Sequence, residues 1–116
     1  MDIRLFDIVM VDLGITIGSE QGGKRPVVIL QNNTGNMKST TTIVAPLSRH
    51  VDKKPFQPTH TLLRKSDDNG LKDDSVVLCE QVRVISSQRI LWKIGNITNE
   101  NDRLAIGNAC KANFGF

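Results

Sequence analysis

What most constrains this chain is the spacing of its apolar residues. From Phe6 to Ile97 they stand in short runs, with clusters of Gly, Pro, Asn, Asp and Ser between many of them. That punctuation predicts strands rather than helices. Phe6–Leu13 alternates, with Phe6, Ile8 and Met10 on one face and Val9, Val11 and Leu13 on the other. Pro26–Gln31 is a second strand, with Pro at the tolerated first position. Thr41–Leu47 is a third, in which Pro46 predicts an edge or a bulge. Thr59–Leu63 is short. Ser75–Ile85 reads as one long strand with Glu80, Gln81 and Arg83 in its second half, and Arg89–Ile97 as the last. Ser86 or Ser87 is placed to cap one helical turn between these two.

The connections differ in kind. Gly14–Gly23 is a long loop holding Gly18, Gly22 and Gly23, and loops of that length are often functional. Asn32–Lys38 and Ser66–Asp74 read as polar turns, and Ser48–Pro58 as a basic loop bracketed by prolines. Thr98 is the expected N-cap of a helix of about three turns. Glu100 and Asp102 stand in its first turn, and Leu104, Ala105, Ala109 and Ala112 are expected to face inward. The order implies a mainly β, barrel-like domain with one C-terminal helix, spanning residues 1–116.

Composition narrows the function classes. With 116 residues and 39% hydrophobic content, the chain suits one domain with one modest core. No apolar run reaches membrane-spanning length. The N-terminus lacks a basic n-region and a cleavage site, so a cytoplasmic protein is expected. Cys79 and Cys110 are then expected as buried thiols, not a disulfide. A net charge of +3 is compatible with a polyanion partner but decides nothing. The aromatic residues available for stacking on a nucleic acid are Phe6, Phe56, Trp92, Phe114 and Phe116.

Metal chemistry finds no support in the spacing. His50 and His60 lie apart from each other and from both cysteines, and "DDNG" lacks the alternation of a calcium loop. "GGKRP" leads into a strand rather than a helix, so it is no phosphate-cradling loop of the Walker kind. A metal-free anion site is a better fit. Arg25 carries a permanent charge and a planar fork suited to phosphate, Gly22–Gly23 allows close approach, and Pro26 fixes the backbone behind. A turn-spanning ion pair is the competing reading of Arg25. In an extended chain Ser48 and His50 point the same way and could line one wall; two exposed polar side chains are the plainer alternative. Glu80, Gln81 and Arg83 interrupt an apolar strand, so they either border an opening or pair with one another.

Taken together, "DIVMVDL", "GSEQGGKRPVVILQN", "TTIVAPLS", "PTH", "DSVVLCEQVRVI" and "RILWKIGNI" resemble the MazF/PemK toxins of bacterial toxin–antitoxin systems over essentially the whole chain. The resemblance implies an SH3-like barrel of the PemK/CcdB type, assembled as a homodimer. It implies a sequence-specific messenger-RNA interferase that cuts single-stranded RNA without a metal or other cofactor, leaving a 2′,3′-cyclic phosphate and a 5′-hydroxyl. The family's catalytic Arg falls on Arg25 and its catalytic Ser/Thr on Ser48. Residues lining its RNA groove fall on Ser19, Glu20, Gln21, Asn32 and Gln81, with a loop residue near Phe56. Lys24 falls where the family varies, and no role falls on His50. Phe6 departs from the pattern, since Gly is common before the Asp.

The resemblance also implies a MazE-like antitoxin, whose acidic segment would compete with RNA for a groove near Lys53, Lys54 and Phe56. Two rival functions remain to be weighed. Gyrase poisoning, as in the CcdB branch, uses a Trp-containing C-terminal tail, whereas this chain ends "KANFGF". A non-catalytic RNA-binding descendant would have no need to keep both Arg25 and Ser48.

Overall fold

The computed structural model describes residues 2–51 and 57–116. Seven strands form: β1 (Asp7–Asp12), β2 (Lys24–Ile29), β3 (Thr41–Ser48), β4 (His60–Leu63), β5 (Ser75–Leu78), β6 (Arg83–Ser86) and β7 (Ile90–Asn96). Two helices join them, α1 (Asn33–Lys38) and α2 (Glu100–Phe114). All pairings are antiparallel, in the order β4-β5-β3-β2-β1-β7, with β6 also on β3.

β3 carries the bend of this barrel-like sheet. Its first half pairs β6 over Thr41–Val44, and its end pairs β5 at Leu47–Ser48. Pro46 stands in the gap between those two partners, where a missing N–H breaks no ladder on that side.

Alternation in the strands puts apolar side chains on both faces. One face joins Ile8, Val28, Ala45 and Leu47 to Leu63, Val77 and Cys79, and is closed by Ile106 and Ala109 of α2. The other holds Val9, Val11, Val27, Ile29, Val44 and Ile85. Each Val, Leu or Ile among them stabilises the fold by about 1.5–3 kcal/mol on full burial. The buried carboxylate of Asp7 fixes where β1 begins. It accepts from Arg4 N at 2.8 Å and Asn96 Nδ2 at 2.8 Å, and pairs with Lys93 Nζ at 3.2 Å. A buried charge with that many partners costs much less than a lone one. Phe6, just before it, has φ +70°, a left-handed conformation that glycine adopts most easily. Its ring packs on the core and lies 4.9 Å beneath the Arg103 guanidinium.

Several expectations are corrected. The Asn32–Lys38 segment is the short helix α1, capped by the Asn32 side chain accepting from Gly35 N, rather than a bare turn. β2 starts at Lys24, so Lys24 and Arg25 belong to the strand and Pro26 is its third residue. Ser75–Ile85 is not one strand: a 3-10 turn at Cys79–Gln81 breaks it. The break is needed because β5 and β6 pair with different ends of β3. The cap of α2 is Asn99, whose Oδ1 accepts from Asp102 N, while the Thr98 hydroxyl bonds Asp68 instead. The helix runs 15 residues and buries Ile106 and Ala109, leaving Leu104 and Ala112 exposed. The cysteines are free, Cys79 buried and Cys110 partly so. Burial, and then the neighbouring Cys110, push the Cys79 thiol well above its ordinary range, so it is inert.

β7 passes close beneath the turn at Ser66–Asp74. A Cβ on Gly95 would stand 2.5 Å from the backbone of Asn69. Gly95→Ala is therefore expected to destabilise the fold by about 1–3 kcal/mol. Urea unfolding measures this, and an unchanged midpoint would contradict the close approach.

Candidate active site

The face covered by α2 at Ile8 and Val28 continues past the helix without a cover. Met10 stands opposite Pro26 on one side and Trp92 on the other. Continuing the β2–β3 register beyond Val27–Pro46 sets Pro26 opposite Leu47 and Arg25 opposite Ser48. This uncovered row floors a cleft of about 590 Å³. Gln21, Lys24 and Arg25 border it on one side, Ser48, Arg49 and His50 on another, and Gly70–Asp73 of the polar turn close it.

Arg25 is half-buried at the end of β2. Its Nε donates to Gly22 O at 3.1 Å and its Nη1 to Leu47 O at 3.2 Å. These bonds anchor the guanidinium and, among the described residues, leave three of its five N–H groups without a partner and able to face an anion. Burial lowers its pKa from the ordinary guanidinium value. No carboxylate lies within ion-pair distance of it among the described residues, so the turn-spanning ion pair is absent. The Ser48 side chain is 4% exposed, and its Oγ accepts from His50 N at 3.3 Å. Because that bond uses a lone pair, the hydroxyl proton remains free to donate. Arg49 pairs with Asp73 at 3.5 Å, and Lys93 with Asp7.

The lip of the cleft is the Gly14–Gly23 loop. Gly22 has no room for a Cβ, which would meet Thr16 Oγ1 at 2.5 Å, and Gly23 has φ +69°. Within the loop the Glu20 carboxylate accepts from Ile17 N at 2.9 Å, while Ser19 and Glu20 are exposed. Gln81 reaches across from the 3-10 turn and uses both ends of its amide: Oε1 accepts from Gln21 N at 2.8 Å, and Nε2 donates to Ser19 O at 3.2 Å.

Arg25, Ser48 and Gln21 thus share the cleft, with Ser19, Glu20 and Gln81 at its lip. Asn32 is elsewhere, seven residues along from Arg25 and about 20 Å away at strand rise. Phe56, Lys53 and Lys54 lie outside the described residues. Glu80 faces away, bonded to Thr59 and, at 2.8 Å, to His60. Sequence reasoning did not place Lys72, Asp73 or Trp92 in the cleft. The last was legible only as one of the aromatic residues available for stacking. Among the described residues no three His, Cys, Asp or Glu side chains group as metal ligands.

If Gln81 clamps the lip, Gln81→Ala should speed hydrogen exchange at the Gln21 amide by about tenfold, the weight of one hydrogen bond. An unchanged exchange rate would show that the loop holds itself.

Comparison with known proteins identifies the fold and its lineage. Residues 4–106 match the PemK-like, MazF-like toxin family of type II toxin–antitoxin systems. The endoribonuclease MazF of Staphylococcus epidermidis is 40% identical over 113 residues, covering 97% of this chain and 92% of that protein. The endoribonuclease EndoA of Bacillus subtilis is 40% identical over 100 residues, or 86% of this chain and 84% of that one. A crystal structure of MazF from Deinococcus radiodurans superposes with TM-score 0.81 at 16% identity, covering 100% and 99% of the two chains. A mycobacterial endoribonuclease in complex with its cognate antitoxin gives 0.80 at 17% identity, over 98% and 96%. With its bent antiparallel sheet, C-terminal helix and near-complete coverage by these relatives, the chain belongs to the PemK/MazF toxin family.

Proposed function

We propose that this chain is a toxin endoribonuclease that cuts single-stranded RNA at the Arg25–Ser48 end of the cleft. The observation that carries the reading is that Arg25, whose Nη1 bonds the carbonyl of Leu47 next to Ser48, lines the same cleft as Ser48. This arrangement sets a fixed guanidinium beside a hydroxyl whose proton is unused. The curated relatives' names point the same way.

The chemistry needs little more. The RNA's own 2′-hydroxyl attacks the phosphorus, the bond to the 5′-oxygen breaks, and a 2′,3′-cyclic phosphate and a 5′-hydroxyl result. Dependence on the 2′-hydroxyl restricts the reaction to RNA. Arg25 clamps the phosphate and stabilises its developing charge, and Ser48 orients it by hydrogen bond. A guanidinium gives up a proton too reluctantly to serve as the base. Gln21 and the Ser19–Glu20 lip hold the flanking nucleotides, with Gln81 fixing their backbone. Asn32 belongs to the same proposed RNA-contacting set, reached only by a strand running well beyond the cleft, and so does Phe56, which lies outside the described residues.

A homodimer is part of this reading, supported by exposed apolar side chains such as Ile17 (83%) and Leu104 (65%). So is an acidic MazE-like antitoxin that competes for the basic cleft; one mycobacterial neighbour was solved with its cognate antitoxin. No helix among the described residues is long and apolar enough to cross a membrane, and the reading places the protein in the cytoplasm with its messenger-RNA substrate.

A fluorogenic single-stranded RNA panel with EDTA tests the activity. Arg25→Ala should lower kcat by about 10²–10³-fold, as for loss of a transition-state donor. Ser48→Ala should cost about tenfold or more, and His50→Ala should remain active. An uncut panel, or an Arg25→Ala variant as fast as the parent, would overturn the reading. Light scattering at micromolar concentration should report a dimer, and a monomer would contradict the assembly.

A further inference from the structure

Trp92 is the only tryptophan in the chain, and it stands on the cleft floor with its side chain 53% exposed. It is there because β7 is irregular. Opposite Ile8 the partner is Gly95, but opposite Val9 it is Lys93, so Ile94 is an inserted residue. In a regular ladder Lys93 would face Met10, and Trp92 would fall opposite Val11, whose side chain is in a closed core. The bulge instead brings the indole into the row of Met10 and Pro26.

Two cations complete the setting. Lys24 and Lys72 line the same cleft, are exposed, and enter no ion pair among the described residues. By contrast, Arg49 and Lys93 are occupied by Asp73 and Asp7. Trp92 lies two strand spacings from Pro26, about 10 Å. A flat aromatic surface flanked by unpaired ammonium groups, one step from a phosphate clamp, matches the make-up of single-strand binding surfaces.

We propose that Trp92 is a base-stacking platform, holding one nucleobase beside the phosphate gripped by Arg25 while Lys24 and Lys72 attract the adjoining phosphates. This rests on the RNA-cleaving reading of the site. Charge complementarity favours RNA over an apolar protein segment as the occupant.

The test uses the intact protein and its own cut sequence, mapped first on a long RNA. The probe is an oligonucleotide of that sequence with deoxyribose at the cut nucleotide, so that it binds uncut. Binding should quench the protein's tryptophan emission, and replacing one particular nucleotide by an abasic residue should abolish that quench. Arg25→Ala, which grips the phosphate less well and loses cleavage, should still reach the full quench once the probe is saturating. In steady-state cleavage Trp92→Ala should raise KM about ten- to hundredfold, with kcat nearly unchanged, and Trp92→Phe should recover most of the loss.

Cleavage and binding without a quench would overturn the platform and leave the nuclease reading intact. An emission change that follows protein dilution or an added acidic peptide, but not RNA, would assign Trp92 to a protein contact and overturn it too. If no RNA is cut or bound, the platform and the reading beneath it fail together.

Discussion

The register between β1 and β2 is the constraint on which the rest depends. Val11 stands opposite Arg25 and Met10 opposite Pro26. Because side chains alternate with a period of two, a slip of one residue would exchange these faces throughout. Val27 and Ile29 would then lose their buried positions, and Pro26 would leave the cleft floor. The same apolar packing that stabilises the fold therefore sets where the guanidinium sits. Asp7 fixes the other side of β1, since its partners are Arg4 just before the strand and Lys93 and Asn96 of β7.

The cleft follows from coverage. Along one face of the sheet the row through Ala45, Val28 and Ile8 is buried, with Ile106 and Ala109 of α2 above it. The next row, through Pro26, Met10 and Trp92, has no such cover. Apolar side chains left open beside Arg25, Lys24 and Lys72 make a floor suited to bases and walls suited to phosphates. Binding and cleavage would then draw on adjacent rows of one rigid sheet, a firmer support than loops provide.

Much of this was legible in the sequence, because strand-length apolar runs and Gly/Pro punctuation are local signals. The limits of β1 and β7 and the one-turn helix after Ser86 follow from such patterns. What was not legible depends on partners distant in sequence. The break at Cys79–Gln81 arises because β3 changes partner, which no local pattern records. Leu104 faces outward because α2 meets the sheet through Ile106 and Ala109. For the site, the loop chemistry of Gly22–Arg25 was readable, and so were the candidates Ser48 and Gln21. The clamp made by Gln81 was not, since its two partners lie about sixty residues away in the chain. Trp92 was already a stacking candidate, but its place in the cleft was hidden by a bulge, which shifts a side chain to the other face without any change in composition.

The proposed chemistry is attack by the RNA's own 2′-hydroxyl, promoted by Arg25 and Ser48. Mass spectrometry of the ends produced from a defined RNA in EDTA tests this most directly. The account predicts upstream fragments ending in a 2′,3′-cyclic phosphate, downstream fragments beginning with a 5′-hydroxyl, and no cutting where the target nucleotide carries deoxyribose. Fragments with 3′-hydroxyl and 5′-phosphate ends, or cleavage at the deoxyribose position, would contradict it.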